Sequence, residues 1–327
     1  MKKRKDIKNT VMDASTIHNR KVAVIGAGNV GSAIAYALTI RNLAREIVLI
    51  NRTESRAISE ALDIQHGIPY MGSSSVRAGS YEDCANCDLI IITSGRNRRV
   101  GESRLDLAKD NIAIIDDIVS KIKPHYDRGV ILMISNPVDI LTYRCTQLMD
   151  LPKGRVFGTG NLLDTSRLTR IVSDYTGLNT EMIRANIVGE HGDGQIPIWS
   201  TLAIAGVPIE DYCASVGLDW NESIRNSIEK RVRNLGAEII SGKGKTNFGI
   251  ATCVCYIADA ILNQRLTIAS VTSVLHGEYG ISDVSLSVPS IIGVNGIDRI
   301  LEERWAESEY SRFYQSAQNL KSFIAGL

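Results

Sequence analysis

A glycine-rich turn near the amino terminus constrains the fold of this chain more than any other feature. The apolar, β-branched run Lys21–Gly26 predicts a buried strand, and Ser32–Arg41 predicts a helix. Between them lies the turn Gly26-Ala-Gly28-Asn-Val-Gly31, and a second apolar strand, Glu46–Ile50, follows. A strand, a Gly-x-Gly-x-x-Gly turn, a helix and a strand in about 30 residues are typical of a Rossmann dinucleotide-binding unit.

Each glycine of this turn has a physical role in such a unit. Gly26 permits the tight turn, Gly28 lets the backbone approach a pyrophosphate, and Gly31 lets the helix pack closely on the strand. The helix N-terminus offers free N–H groups and the positive end of its dipole to the phosphates. The candidate cofactor-binding residues of the turn are Gly26, Gly28, Asn29, Val30 and Gly31.

The end of the second strand bears on the choice of cofactor. An acid usually stands there and hydrogen-bonds the adenosine ribose 2′-OH. Here Ile50 is followed by Asn51, Arg52 and Thr53 instead. Asparagine and threonine can hydrogen-bond a phosphate and arginine can pair with it by charge, which favours NADP(H). The alternative is that Arg52 faces solvent beside a bound NAD(H).

Strands and helices alternate through the first half of the chain and then change rhythm near residue 160. The alternation predicts an α/β fold, a Rossmann domain with a doubly wound parallel sheet, followed by a mixed α+β catalytic domain. We assign residues 1–20 to an N-terminal arm, 21–160 to the dinucleotide-binding domain and 161–327 to the substrate domain. Further elements are predicted at Asp88–Thr93, Ser103–Lys123, Val130–Ser135, Arg155–Phe157, Leu162–Tyr175, Ile183–Val188, 221–240, 247–263, Leu266–Leu275, Val284–Ile292 and 306–325.

Composition excludes several classes of function. Residues 1–20 carry six basic and two acidic side chains, whereas the whole chain has a net charge of only +1, so the body has no basic excess typical of nucleic-acid binding. No apolar run approaches the ~20 residues of a membrane-spanning helix. The six cysteines are scattered, which favours a reducing cytoplasm, and the single pair Cys84-x-x-Cys87 lacks the partner pair of a structural zinc site. We therefore expect no metal, no nucleic acid and no membrane.

Three clusters of polar residues follow in the chain. Gly158–Arg167 places Asp164 and Arg167 three residues apart, on one face of a predicted helix. Gly189–Asp193 places His191 in a glycine-rich loop directly after a predicted strand. The third cluster, Gly101-Glu-Ser-Arg104-Leu-Asp106, follows the arginine-rich loop Gly95-Arg-Asn-Arg98-Arg99-Val100.

Over about residues 20–325 the sequence resembles the L-lactate/L-malate dehydrogenase family, and most of all its bacterial L-lactate and L-2-hydroxyisocaproate dehydrogenases. Ordered motifs carry the resemblance: GAGNVGSA, GESRLDL, ISNPVD (134–139), GTGNLLDTSR (158–167), GEHGD (189–193), GKGKTNFGIAT (242–252), HGEYGISD (276–283) and VPSIIGVNGI (288–297). The family passes a hydride between nicotinamide C4 and C2 of a 2-oxo acid, so the resemblance implies an NAD(P)-dependent oxidoreductase. It also implies a homo-oligomer, a tetramer or a dimer.

The resemblance, together with side-chain chemistry, assigns the catalytic roles. His191 is the candidate proton donor to the C2 oxygen because its pKa lies near neutrality. Asp164 is expected to bind the other ring nitrogen and to stabilise the imidazolium. Arg104 is expected to polarise the reacting carbonyl from a mobile loop.

The same resemblance assigns the substrate-binding residues. Arg167 is expected to bind the substrate carboxylate with two hydrogen bonds, which a planar guanidinium can form. Asn136 is expected to hydrogen-bond near the carbonyl and the nicotinamide. Thr246 is expected to line the substrate pocket opposite the loop.

Arg98 leaves the substrate open. In the family, lactate dehydrogenases have glutamine at this position and malate dehydrogenases have arginine, which pairs with a second carboxylate. An arginine buried against the methyl group of pyruvate would cost ~2–5 kcal/mol, which favours oxaloacetate. Glu102 and the segment around Thr246 follow the lactate pattern instead.

We therefore predict pyruvate and L-lactate as the main substrate pair. The alternatives are oxaloacetate and malate, a broader range of 2-hydroxy acids, or a dinucleotide-binding protein without catalytic activity.

Overall fold

The computed structural model of the protein describes residues 20–96 and 104–326. Its α-helices are α1 Asn29–Ile40, α2 Glu54–Gly67, α3 Arg104–Ile122, α4 Val138–Met149, α5 Leu162–Thr176, α6 Ile209–Val216, α7 Glu222–Lys243, α8 Phe248–Leu262 and α9 Glu307–Ala325. The strands of the first half are β1 Lys21–Ile25, β2 Glu46–Ile50, β3 Ser75–Ala78, β4 Leu89–Ile92, β5 Val130–Met133 and β6 Val156–Gly158. Those of the second half are β7 Ile183–Arg184, β8 Ile187–Gly189, β9 Gln195–Pro197, β10 Ala203–Ile204, β11 Val207–Pro208, β12 Thr267–His276, β13 Ser282–Gly293 and β14 Gly296–Ile300.

The first six strands form a parallel sheet in the order β3-β2-β1-β4-β5-β6. Strands β4 and β5 are buried at every position, because helices cover both faces of the sheet. The strand order reverses between β1 and β4, where Val22 is paired with Leu89. In an open parallel sheet, the crevice beyond the carboxyl ends of the strands at such a reversal is the place where a ligand binds.

The second half extends the same sheet rather than starting a separate one. Strand β12 pairs antiparallel with β6 through Thr272 and Gly158, and the hairpin of β12 and β13 continues to β8 and β9. Strand β14 pairs with β13, and β11, β10 and β7 form a second, small sheet. The mixed α+β character predicted for this half is confirmed, although its joining to the parallel sheet was not foreseen.

The predicted strand Ile183–Val188 is wrong as a single element. The chain forms β7 and β8 there, and they belong to different sheets: Arg184 is paired with Ala203, and Gly189 with Ser287. The carbonyl of Asn186, between the two, accepts a hydrogen bond from the N–H of Ile198. A continuous apolar run in the sequence therefore does not show that the pairing strand changes, because hydrophobic periodicity does not depend on which strand is the partner.

Helix α8 joins the two halves of the molecule. It is apolar on nearly every side, and Val254 and Ala258 are fully buried in the same core as Ile34 and Leu38 of α1. This packing places the segment before α8 beside the glycine-rich turn before α1. Among the described residues, no helix combines the length and the apolar character that crossing a membrane requires.

Candidate active site

The glycine-rich turn between β1 and α1 has the geometry that its sequence predicts. Gly26 has φ +108°, and a Cβ there would lie 2.7 Å from Thr93 Oγ1. A Cβ on Gly31 would lie 1.8 Å from the carbonyl oxygen of Gly26, so helix and turn approach closely only because this residue is glycine. Gly28 differs, because a Cβ there would meet no atom within 4 Å.

The open side of Gly28 fits a dinucleotide. Gly28 is the N-cap of α1, no side chain caps this end of the helix, and its first turn carries no acidic residue. The N–H groups and the positive dipole end of α1 therefore face the crevice between β1 and β4, as the pyrophosphate of a dinucleotide requires. The contact of Gly26–Gly31 with a cofactor remains a prediction.

The end of β2 is more constrained than its sequence indicates. The side chain of Asn51 accepts a hydrogen bond from the N–H of Ala27 (3.1 Å) and donates one to the carbonyl of Thr53 (3.0 Å). Its amide is thus used to hold the glycine-rich turn on β2. Arg52 and Thr53 are exposed, and Arg52 forms no ion pair with any residue of the described ranges.

A histidine, an aspartate and an arginine meet where β8 ends and α5 begins. Asp164, in the first turn of α5, is buried, and its Oδ2 accepts from Nδ1 of His191 (2.8 Å). Its Oδ1 accepts from Nη1 of Arg167, also at 2.8 Å. Because a carboxylate can only accept, Nδ1 carries the proton and Nε2 is left without a partner among the described residues.

These contacts determine the ionisation of both Asp164 and His191. Burial by itself raises the pKa of Asp164, but the charges and hydrogen bonds of His191 and Arg167 outweigh it and hold that pKa below its ordinary value. Burial lowers the pKa of His191, but the charge and hydrogen bond of Asp164, with a contribution from Asp139, raise it above its ordinary value. The imidazolium therefore persists to higher pH than that of an ordinary histidine.

Asp139 is a functional candidate to which the sequence motifs assign no role, although it ends the motif ISNPVD. It is buried, and its Oδ2 accepts from the backbone N–H of His191 (2.7 Å). Its Oδ1 accepts from the hydroxyl of Thr272 (2.6 Å). Asp139 thus fixes the histidine loop to α4 and β12. This role follows from the position of the Asp139 carboxylate beneath the histidine loop, which is 52 residues away in the sequence. No local sequence pattern indicates it.

One cavity of about 230 Å³ brings most of the predicted site residues together. Val30, Asn136, Arg167, His191 and Thr246 all line it. Oδ1 of Asn136 accepts from the N–H of Val138 (3.3 Å), and its Nδ2 has no partner within the described ranges. Gly236 of α7 lines the same cavity, and a Cβ there would lie 3.6 Å from Nη2 of Arg167. Gly236 is not among the site residues predicted from the sequence.

Two predicted residues cannot be placed in the cavity. Arg98 lies outside the described residues. Arg104 is the first residue of α3, but its side chain is not described.

The thiols and the metal-ligating side chains of the described residues do not form a second reactive cluster. All six cysteines are free and buried, and burial raises the pKa of Cys84 and of Cys87 to about 12, so neither carries a reactive thiolate. Within residues 20–96 and 104–326, no group of three His, Cys, Asp or Glu side chains is arranged to hold a metal ion.

A parallel sheet with a dinucleotide turn at its switch point, beside a cavity with a His–Asp pair, is an arrangement suited to a nicotinamide-dependent oxidoreductase. The lactate/malate dehydrogenase NAD binding domain matches residues 20–158, and the lactate/malate dehydrogenase alpha/beta C-terminal domain matches residues 162–326. The chain therefore belongs to the lactate/malate dehydrogenase family, and it is an NAD-dependent oxidoreductase.

Individual relatives agree with this family. An L-lactate dehydrogenase of Acetivibrio thermocellus is 40% identical over 308 residues, covering 94% of this chain and 97% of its own length. One of Priestia megaterium is 40% identical over 306 residues, covering 94% and 96%. The crystal structure of minor L-lactate dehydrogenase from Enterococcus mundtii, in a ligand-bound form, has a TM-score of 0.91 and 36% identity, covering 95% of this chain and 99% of that one.

Proposed function

We propose that the protein interconverts pyruvate and L-lactate. One observation carries the proposal: Asp164 holds Nδ1 of His191 and Nη1 of Arg167, so that Nε2 and the remaining guanidinium donors are left for a ligand in one cavity. A 2-oxo acid offers a carbonyl oxygen that gains a proton and a carboxylate two atoms away. The names of the relatives support pyruvate as that 2-oxo acid.

The nicotinamide cofactor, when bound, supplies or accepts the hydride at C2 of the substrate. Arg167 binds the carboxylate, which fixes the substrate in the cavity. His191 donates the proton on Nε2 to the C2 oxygen during reduction, and takes it back during oxidation. Asp164 keeps the ring in the required tautomer and stabilises its charged form.

The other residues complete the site. Asn136 donates from Nδ2 toward the carbonyl and the nicotinamide, and Thr246 forms the opposite wall. That Arg104 polarises the carbonyl stays a prediction.

The substrate proposal is tested by the ratio of kcat/KM for pyruvate to that for oxaloacetate. We expect a ratio well above one, because the relatives that this chain resembles are named L-lactate dehydrogenases. Arg98→Gln should then change the ratio less than about threefold, since under this proposal Arg98 does not select the substrate.

The second candidate function, malate dehydrogenase, rests on Arg98 itself. A ratio well below one, reversed by Arg98→Gln, would assign the enzyme to oxaloacetate and refute the proposal. Equal rates with pyruvate, oxaloacetate and bulkier 2-oxo acids would assign a broad 2-hydroxyacid dehydrogenase. Absence of hydride transfer with bound cofactor would leave a non-catalytic dinucleotide-binding protein.

For the cofactor we propose a preference for NADP(H), within a site that also takes NAD(H). Arg52 supports this, because it is exposed at the end of β2 and forms no ion pair with a described residue, while no acid occupies the place of Asn51. A 2′-phosphate can pair with such a guanidinium, and no carboxylate there repels it.

The double substitution Asn51→Asp with Arg52→Met should lower the ratio of kcat/KM for NADPH to that for NADH about 10²-fold. It removes an attraction and adds a like-charge repulsion, each worth ~1–2 kcal/mol. The measurement is the two rates at one fixed pyruvate concentration. Arg56→Met, in the first turn of α2, where Arg56 pairs with Glu60 (3.9 Å), is the control and should leave the ratio unchanged. A wild-type enzyme that clearly prefers NADH would refute the preference.

We also propose a homo-oligomer, a tetramer or a dimer, in the cytoplasm, with residues 1–20 as an arm and a domain boundary near residue 160. Large exposed apolar side chains on α1 and α8, among them Tyr36, Ile40, Phe248 and Tyr256, support self-association. Six buried thiols without a disulfide suit a reducing compartment.

A further inference from the structure

A lysine from the second half of the chain reaches the glycine-rich turn. Nζ of Lys245 donates a hydrogen bond to Oδ1 of Asn29 (3.0 Å), across 216 residues of sequence. Asn29 is the first residue of α1, directly after the open glycine Gly28. The contact therefore places an ammonium group at the helix end where the proposed cofactor site holds its pyrophosphate.

Within the described residues, no acidic side chain balances the charge of Lys245. Its described partner is the neutral amide of Asn29, no carboxylate of the described residues forms an ion pair with it, and the first turn of α1 has no acidic residue. The N-terminus of α1 is itself the positive end of the helix dipole. Two positive groups thus lie side by side, and an anion between them would relieve their repulsion.

The neighbouring Lys243 makes different contacts, so the contact with α1 is particular to Lys245. Nζ of Lys243 donates to Oδ1 of Asn247 (2.9 Å) and lies 4.1 Å from the centre of the Phe248 ring, so it is held on its own segment. Lys245 instead crosses to α1. It also directly precedes Thr246, which lines the substrate cavity together with Val30 of α1.

We propose that Lys245 is a cofactor-binding residue that pairs with the pyrophosphate of the dinucleotide. The inference rests on the cofactor site proposed above and adds a residue that the glycine-rich turn does not contain. Asn29 holds the ammonium group in position before the cofactor binds. Because Thr246 follows in the chain, the same contact fixes one wall of the substrate cavity against the bound dinucleotide.

The test is the dissociation constant of NADH, titrated by nicotinamide fluorescence in the absence of substrate. Lys245→Met keeps the length of the side chain and removes its charge, and we expect binding to weaken about tenfold at low salt. Salt screens an exposed charge, so the difference should shrink at ~0.5 M salt. Lys245→Arg should stay within about threefold of wild type because the charge is retained.

Two competing ligands identify the group that Lys245 binds. ADP-ribose contains the pyrophosphate and should lose affinity to the same extent as NADH in Lys245→Met. Adenosine has no phosphate and should compete equally well against NADH on both proteins. Lys230→Met, on the exposed face of α7, is the matched control and should bind all three ligands as wild type does.

Two results would overturn the inference. One is a Lys245→Met protein that binds NADH and ADP-ribose as tightly as wild type. The other is an equal loss for adenosine, which would indicate a distorted site rather than a lost phosphate contact. Failure of the proposed function looks different: wild type would bind NADH but would not reduce pyruvate, and the titrations would still decide the role of Lys245.

Discussion

Replacing His191 with glutamine is expected to lower kcat/KM for pyruvate about 10³-fold, since general acid catalysis contributes ~10²–10⁴-fold. Glutamine can still hydrogen-bond Asp164, but it has no proton to give at neutral pH. The dissociation constant of NADH should not change, because the ring lies in the substrate cavity and not at the glycine-rich turn. Steady-state kinetics and a fluorescence titration measure the two quantities separately.

The pH dependence distinguishes an acid from a merely structural histidine. The pKa of His191 is raised above its ordinary value near 6.5, mainly by Asp164 acting against burial. Pyruvate reduction needs the protonated ring, so its kcat/KM should be constant below that raised pKa and fall as the pH passes above it. Lactate oxidation needs the neutral ring, so its kcat/KM should rise with pH through the same value.

Asp164→Asn tests the cause of this shift. Without the carboxylate, burial dominates and lowers the pKa of His191, so the fall in pyruvate reduction should move to lower pH. His66→Gln, at the exposed end of α2, is the control and should leave rate and profile unchanged.

A His191→Gln enzyme within tenfold of wild type, with the same pH profile, would exclude His191 as the proton donor.

The parts of the fold that sequence predicted are those that local pattern determines. The bounds of β1, α1 and β2 are predicted to within three residues, because glycine spacing and an unbroken apolar run define them over a short stretch. The pairing of β12 with β6 was not predicted, since one bridge between Thr272 and Gly158 joins residues far apart in the chain. The division of the predicted strand Ile183–Val188 into β7 and β8 was not predicted either, because it also depends on pairing with distant residues.

The candidate active site, like the fold, has features that the sequence predicts and features that only the structure shows. The resemblance to the family, together with side-chain chemistry, assigns a shared function to His191, Asp164 and Arg167, and the structure brings them together. The sequence does not show which hydrogen-bond donors remain available to a ligand after the hydrogen bonds within the protein have formed. Asn51 was considered as a phosphate ligand, yet its amide holds Ala27 and Thr53.

Replacing Arg167 with lysine is expected to raise KM for pyruvate about 10²-fold or more, with little change in the affinity for NADH. A charged contact in a desolvated site is worth ~2–5 kcal/mol, and an ammonium group cannot form two parallel hydrogen bonds to a carboxylate while also holding Asp164. In the native site Nη1 already binds Oδ1 of Asp164 at 2.8 Å, and the side chain of Arg167 is only 14% exposed. The effect should therefore exceed that of losing a surface charge.

The same helix offers a matched control. Arg170 lies on the exposed side of α5, pairs with Asp174 (2.8 Å) and is 71% exposed, so Arg170→Lys should leave KM unchanged. Lysine at position 167 keeps the positive charge that lowers the pKa of His191, so the pH profile should shift little while KM rises. A large pH shift without a change in KM would mean that Arg167 acts through His191 and Asp164 and does not bind the substrate. An unchanged KM with an unchanged profile would place the carboxylate elsewhere in the cavity, with the Arg167–Asp164 pair serving only to hold α5 in shape.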